Sequence, residues 1–466
     1  MAKFISNAIK WVKGKSTSGN GDQHFDPSSL PATIIPRDQH CISRKHISDA
    51  AIKVMGGLHR AGFEGFLVGG AVRDLLLGGH PKDFDIATDA TPEQVKNIFR
   101  SARIIGRRFK IVHVRFGREV IEVTTFRGTH DQPEQSHKGK RPSNQQSAQS
   151  KDGMLLRDNV FGTVEEDAIR RDLTINALYY TTAGFAVYDY TDGLADLEDK
   201  IIRIIGDPET RYREDPVRML RVVRFAGKLG FEIETNTAKP ITKLASSLQD
   251  IPAARMFDEV LKLFMSGYAV AVYDLMLQHG LFEPLFPETH HCIQQSGDNQ
   301  LLLQAMKNTD LRIQQGKPVT PAFIYAALLW PAVDRRQQQL MTQDNMPDVP
   351  AMHQAAQEVV SRQQQHTSIP RRFSQPMREI WEMQLRLPRR NGRRAEQMME
   401  NRRFRAAYDF LLLREECGED TDGVGQWWTD YQNRSADQRE EMTKALQGQP
   451  NKRRRRSPKQ TLLDNH

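Results

Sequence analysis

From Ser48 the apolar residues Ala51, Val54, Met55 and Leu58 recur at three and four, the spacing of a helix with one buried face. Phe66-Leu67-Val68 follows as a short continuous apolar run and reads as a strand. Gly69-Gly70 interrupts it, and Val72 to Leu77 opens a second helix. After a Gly-Gly-His-Pro turn, Asp83-Phe84-Asp85-Ile86 alternates polar and apolar, as a half-buried strand does. Thr91-Pro92 supplies the N-cap and first-turn proline of another helix. Ile111 to Phe116 and Val120 to Phe126 alternate around Gly117-Arg118 and predict a hairpin. Thr129 to Asp152 is rich in Gln, Ser, Lys and Gly without apolar periodicity, so a mobile loop is expected there. Asp167 to Leu178 returns to helical spacing, with Ile169, Leu173, Ile175 and Leu178 inward. Lys200 to Ile205 alternates, and Asp215-Pro216 is a good N-cap and first-turn pair for the helix that follows.

From about Ile241 the pattern stays helical, with apolar stripes at Ile251–Leu263, Val270–Leu277 and Pro321–Leu329. Phe282 to Pro287 reads as an apolar turn, and Gln337–Gln339 and Gln363–Gln365 as polar breaks. Past Trp427-Trp428 the periodicity fades. Strands mixed with helices, then helices alone, predict an α+β chain. Its expected parts are a flexible segment (1–34), a head with a small mixed β-sheet and helices (35–198), an all-α neck (199–268) and body (269–425), and a disordered basic C-terminal tail (426–466).

Composition narrows the function classes. No apolar run approaches the roughly 18–20 residues that span a bilayer. Three scattered cysteines (Cys41, Cys292, Cys417) indicate neither a disulfide framework nor a zinc cluster, and a cytoplasmic location fits. The net charge of +8 points to a polyanionic partner. At the N-terminus Phe4, Ile5, Ala8, Ile9 and Val12 alternate with lysines. Two readings stay open there: a frayed terminus, or a basic amphipathic helix making peripheral membrane contact. Lys452 to Lys459 is a basic arm whose charge holds polyanions without reading sequence.

The candidate chemistry starts at Asp83 and Asp85. Positions i and i+2 of a strand face the same way, so both carboxylates lie on one side while Phe84 and Ile86 enter the core. Two hard oxygen ligands suit Mg²⁺, and a metal pair about 3.5–4 Å apart suits in-line phosphoryl transfer. Gly69 and Gly70 let the backbone approach phosphates closely. Arg218, Arg221 and Arg224 fall every three positions on an otherwise apolar helix, and such a row is costly unless anions or acceptors meet it. Between Pro370 and Arg414, basic clusters (Arg371-Arg372, Arg389-Arg390, Arg393-Arg394, Arg402-Arg403) interleave with Phe373, Trp381, Phe404, Tyr408 and Phe410. That mixture suits single-stranded RNA, with phosphates held by cations and bases stacked on rings.

Gly65 to Thr88 (GFLVGGAVRDLLLGGHPKDFDIAT), followed by Arg170-Arg171-Asp172-x-Thr174-x-Asn176-Ala177 and Glu214-Asp215-x-x-Arg218, resembles the polymerase-β-like nucleotidyltransferases. Within them it is similar to the class of bacterial CCA-adding enzymes and bacterial poly(A) polymerases. The resemblance is specific over about residues 35–270 and weaker beyond. It implies a nucleotidyltransferase head in which Gly69, Gly70 and Arg73 hold the triphosphate of ATP, and Asp83 and Asp85 hold two Mg²⁺ ions beside Glu122. Asp172 becomes a third active-site acid, and Arg171 contacts nucleotide phosphate or sugar. Asp215 and Arg218 read the incoming base: the carboxylate accepts from an exocyclic amine and the guanidinium donates to the adjacent ring nitrogen. Adenine and cytosine both present that edge, so ATP-only and ATP-plus-CTP chemistry both remain open at this motif. Arg221 and Arg224 continue the nucleotide-binding row.

The implied activity is template-independent transfer of AMP from ATP to RNA 3′ ends (mRNA, small RNAs, decay fragments), with RNA-decay machinery as a partner. The dispersed basic region after Pro370 favours tailing of many RNAs over a CCA-adding enzyme, which measures one tRNA. A third reading, an RNA-binding protein with an inactive head, is disfavoured by the intact Asp-Phe-Asp.

Overall fold

The computed structural model describes residues 32–106, 110–128, 148–149, 155–157 and 161–446. The N-terminal amphipathic segment and the Lys452–Lys459 arm lie outside the described residues. So does the expected loop at 129–152, apart from a small ribbon pairing Ala148–Gln149 with Leu155–Arg157.

Two compact units divide between Leu285 and Phe286. The first holds an eight-stranded mixed sheet. Its strands are β1 (Thr33–Ile35), β2 (Phe66–Val68), β3 (Asp85–Thr88), β4 (Ala102–Ile105), β5 (Ile111–Phe116), β6 (Glu119–Thr125), β7 (Leu178–Tyr180) and β8 (Val187–Asp189). The spatial order is β1-β8-β7-β2-β3-β6-β5-β4. Only β3 and β6 run parallel; the other neighbours are antiparallel. The β5–β6 hairpin turns where the alternation broke, with Gly117 at φ +60°.

Helix α1 (Asp49–Arg60) starts on Ser48, whose hydroxyl accepts from the Ala51 amide, and buries Ala51, Val54, Met55 and Leu58. On one face of the sheet Phe66, Val68, Ala87, Phe126, Ala168, Tyr179 and Tyr190 form a core. Alternation sends Leu67 and Ile86, which are register partners and fully buried, to the other face. α2 (Gly70–Leu76) and α3 (Pro92–Ile98) follow, the latter on a Thr91–Gln94 capping box.

Asp167 to Leu178 is not one helix. α4 (Val164–Ile169) ends, Thr174–Asn176 makes a single 3₁₀ turn, and Leu178 is already in β7. Backbone pairing with the next segment wins here: the Ile205 amide donates to the Asp172 carbonyl, and the Thr174 amide to the Arg203 carbonyl. Leu173, Ile175 and Leu178 are buried as expected, because burial follows their apolarity and does not need the helix. Beyond the sheet come α5 (Gly193–Asp199), α6 (Pro208–Glu214) and α7 (Val217–Leu229).

The second unit is helical throughout its described part, including Pro321–Gln343, Asp348–Gln363, Arg371–Arg386, Arg393–Met399 and Phe404–Glu416. Gln337 is buried inside the first of these, with its amide donating to Asp348, so no break occurs there. Regular structure also continues past Trp428, through Val424–Gln432 and Ala436–Ala445. Trp428 is the reason. It is fully buried with Phe404, Tyr408 and Tyr431, and its indole N–H donates to the Leu387 carbonyl.

Candidate active site

The glycine turn sits between β2 and α2. Gly69 adopts φ +69°, ψ −134°, a backbone that L side chains rarely take, and its amide donates to the Leu178 carbonyl. A Cβ there would meet Arg171 Nη1 at 3.4 Å, so the glycine also leaves room for that guanidinium. Arg73, on α2, is only 2% exposed. Its Nη1 donates to Asn176 Oδ1 (2.6 Å), Nε and Nη2 donate to Asp74, and its plane lies over Phe225. This arginine ties the turn to the Thr174–Asn176 segment.

The acids are organised by strand register. Asp85 is paired with Glu122 across the parallel β3–β6 ladder and with Val68 across β2. Val68 in turn opposes Tyr179, and Glu122 opposes His113. Directly opposed residues share a face, so one row across the sheet reads His113, Glu122, Asp85, Val68, Tyr179. Asp83 and Asp85 are exposed while Phe84 and Ile86 are buried, as the alternation required. Solvent reaches Asp85 as a residue, yet its carboxyl is crowded. Burial, then the charge of Glu122, pushes its pKa up to about 6; Asp83 adds to this and Arg171 opposes it. His113 Nε2 lies 3.2 Å from Glu122 Oε1. Among the described residues no three His, Cys, Asp or Glu side chains close into a ready-made metal cage. The donor set nonetheless fits divalent cations: hard oxygens on one face, with the charges of Glu122 and Asp83 raising the pKa of Asp85 and Arg171 as the opposing charge.

Arg171 reaches this row because Tyr179 and Asp167 hold it. Its Nε donates to the Tyr179 hydroxyl (2.8 Å) and its Nη2 to Asp167 Oδ2 (3.1 Å), which also accepts from the Tyr179 hydroxyl at 2.6 Å. Asp172 turns elsewhere. Its carboxylate accepts from Arg221, and although burial alone would raise its pKa, the charges and hydrogen bonds of Arg221 bring it down to about 2. The charges bearing on Asp85 are Glu122, Arg171 and Asp83, so the acid beside the aspartate pair is Glu122, with Asp172 serving the arginine row.

Two of the three positions of that row on α7 find acceptors, Arg218 and Arg221. Arg218 Nη1 donates to Glu214 Oε2 (2.6 Å) and to the Arg211 carbonyl (2.7 Å). Arg221 has Asp172. Arg224 lies over Phe225, and its buried Nε has no acceptor among the described residues. Asp215 does not pair with Arg218: its Oδ2 accepts from Arg255 (2.7 Å) and its Oδ1 from the Val217 amide (3.3 Å). The N-cap of α7 is Pro216, not the expected Asp215, which meets the Val217 amide from one residue further back and carries an ion pair at once. Around Glu214 the guanidiniums of Arg170, Arg211 and Arg218 crowd together. Burial and neighbouring arginines push both Arg170 and Arg211 down to about 10. Sequence reasoning passed over Arg170, Arg211, Arg255 and the Asp167–Tyr179 pair. Their cue was weak: each is a polar residue inside or beside a motif already marked, and only contact shows which one it serves.

The two arginine-rich readings fare differently. In the second unit Trp381, Phe404, Tyr408 and Phe410 are buried, so these rings build core and cannot stack on bases. Arg371 and Arg372 are exposed, the latter over Phe373.

A sheet whose acids line one register row beside a glycine turn, with an arginine helix behind, defines a nucleotidyltransferase head. The fold agrees: a Bacillus stearothermophilus CCA-adding enzyme solved in complex with CTP superposes with a TM-score of 0.52 at 24% identity, covering 83% of this chain and 82% of that one. Family models place a poly A polymerase head domain at residues 65–203, a probable RNA- and SrmB-binding site of polymerase A at 230–293, and a polymerase A arginine-rich C-terminus at 344–461. Poly(A) polymerase I of Escherichia coli O6:H1 is 47% identical over 428 residues, 91% of this chain and 90% of the relative. The CCA-adding enzyme of Bacillus subtilis is 37% identical over 241 residues, 52% of this chain. The chain belongs to the poly(A) polymerase I family.

Proposed function

We infer that this protein is a polynucleotide adenylyltransferase that extends RNA 3′ ends with AMP from ATP, without a template. The observation that carries the reading is the 47% identity to poly(A) polymerase I across nine-tenths of both chains. Similarity to a CCA-adding enzyme stops at about half the chain. No helix among the described residues is long and apolar enough to cross a membrane.

In this reading Asp83 and Asp85, with Glu122 beside them, hold Mg²⁺, which supplies Lewis-acid stabilisation of phosphoryl charge when bound. The chain's own groups do the rest. The Gly69-Gly70 backbone leaves a surface without side chains for the triphosphate, and Arg73 keeps that turn rigid from behind. Arg171, fixed by Asp167 and Tyr179, stays charged next to Asp85 and faces the phosphates. The excess of guanidiniums around Glu214 makes the adjoining region strongly positive, which favours a polyanionic nucleotide. Asp172 holds Arg221 in the row on α7. Asp215 and Arg218 read the amine-beside-acceptor edge of adenine, which requires Asp215 to share itself between the base and Arg255. Arg224 offers an unmatched N–H donor on the same helix.

Extension of a generic, non-tRNA oligonucleotide with each NTP separately tests the assignment. Long homopolymeric tails with ATP and little or no extension with CTP are expected. Generic RNA left untouched, while a trimmed tRNA end gains two cytidines and one adenosine, would overturn it.

A further inference from the structure

In the second unit the arginines divide into two kinds. Arg336, Arg362, Arg403, Arg405 and Arg414 each have a carboxylate within ion-pair distance. Arg386, Arg389 and Arg394 have none: no side-chain hydrogen bond or ion pair among the described residues holds any of them. These three line one cavity of about 390 Å³ together with Gln397, Met398 and Asn401. It is built where the helix Arg371–Arg386 ends and the helix Arg393–Met399 begins, across the Pro388–Gly392 turn. Among the described residues no acidic side chain lines it. Glu396, on the same helix as Arg394, is drawn off by the Tyr431 hydroxyl (2.8 Å) and Arg439. Next to Arg389, the guanidinium of Arg390 lies over Trp427 (5.2 Å), and its buried Nε has no acceptor among the described residues.

Three like charges gathered around a concavity repel one another, and the surrounding unit shows that carboxylate partners were available to arginines elsewhere. What completes the cavity is therefore an anion. Its size falls near the low end of ligand pockets, roughly 300–1,000 Å³, enough for one nucleotide unit and too little for a folded element. The polar amides of Gln397 and Asn401 and the thioether of Met398 add hydrogen-bonding and apolar wall to the cations, the combination that takes a phosphate together with its sugar or base. We propose that this cavity is an anchoring site for the phosphodiester backbone of single-stranded RNA, formed by Arg386, Arg389 and Arg394. The inference rests on the tailing reading for its ligand, but it concerns RNA grip and not chemistry.

The test is the full-length triple variant Arg386→Gln/Arg389→Gln/Arg394→Gln. RNA affinity is measured without ATP across a salt series on an unstructured oligonucleotide, and KM values for RNA and ATP follow from extension assays. At about 0.7 unit of log K per log salt for each single-strand phosphate contact, the slope should flatten by about 2 units. The KM for RNA should rise roughly tenfold or more at physiological salt, with the KM for ATP unmoved. The triple Lys variant should recover most of the slope, since charge is retained. A control with the same charge change at paired positions, Arg336→Gln/Arg362→Gln/Arg405→Gln, should leave the slope nearly intact; melting temperatures establish that each variant is folded. An unchanged salt slope in the first variant overturns the site. So does an equal loss in the control, which would reduce the effect to net charge, or a rise in the KM for ATP alone, which would make the cavity a free-nucleotide site. Extension of RNA by the unmodified protein, read separately, tests the underlying tailing assignment.

Discussion

Arginines crowd two regions of this protein, and they are managed in opposite ways. On α7 and α6 of the first unit they are largely enclosed, and the structure spends acids on them: Glu214 on Arg211 and Arg218, Asp172 on Arg221. Even so, burial and then neighbouring arginines push Arg170 and Arg211 down to about 10. In the second unit Arg386, Arg389 and Arg394 are exposed, and water screens them at little cost. The lesson is one of inference. Enclosed arginines report a missing anion through their own energetics, whereas exposed ones report it only through the absence of partners that similar neighbours possess.

The largest effect is expected in the first unit, at the aspartates beside Arg171. Asp83→Ala or Asp85→Ala should lower kcat about a thousandfold, the loss of several kcal/mol of charge stabilisation, while RNA binding without ATP stays within a fewfold. Single-turnover extension and filter binding measure the two sides. More than a few per cent of activity in both variants would remove the aspartates from the chemistry.

Gly69→Ala should come next. The residue would be forced into a glycine backbone region beside Arg171 Nη1, at about 1–3 kcal/mol, and the KM for ATP should rise as Arg171 is displaced. Chemical denaturation with steady-state kinetics checks this; a wild-type KM would show that the turn does not face the nucleotide.

Asp172→Asn probes how firmly the enclosed row is held. With a folded pKa of about 2 against an ordinary value of 3.8, this carboxylate stabilises the fold above pH 3.8, and the contribution disappears as pH falls through about 2. The variant should therefore be less stable by about 2 kcal/mol at pH 7, with the gap to wild type closing between pH 4 and 2. A gap independent of pH would mean the loss is packing and not charge.

The smallest effect belongs to the exposed, paired class. Arg405→Gln breaks an ion pair with Asp409 on a side chain that is 70% exposed, and stability should move by less than about 0.5 kcal/mol. A larger change would erase the distinction between the two regions.

The sequence by itself determined the local chemistry. Alternation put Asp83 and Asp85 on the solvent side with Phe84 and Ile86 beneath, and the exposures agree, although β3 begins only at Asp85 and its remaining residues are all buried. Gly117 marked its hairpin, Ser48 and Thr91 their helix starts, and the three-residue spacing of Arg218, Arg221 and Arg224 called for partners, which Arg218 and Arg221 have. Tertiary structure decided which partners. Register made Glu122 the neighbour of Asp85, an accident of how β6 slides along β3 that no single strand encodes. Long-range contacts gave Asp215 to Arg255, Asp172 to Arg221, and Arg171 to Tyr179 and Asp167. The helix foreseen across Asp167–Leu178 failed for the same reason: backbone groups of Asp172 and Thr174 found partners some thirty residues away, and periodicity cannot see them. In the second unit, rings that could have stacked on bases were claimed by the core, because burying a Trp or Phe there is worth more than leaving it for a ligand. Residue pattern fixes what a side chain can do; the fold chooses what it meets.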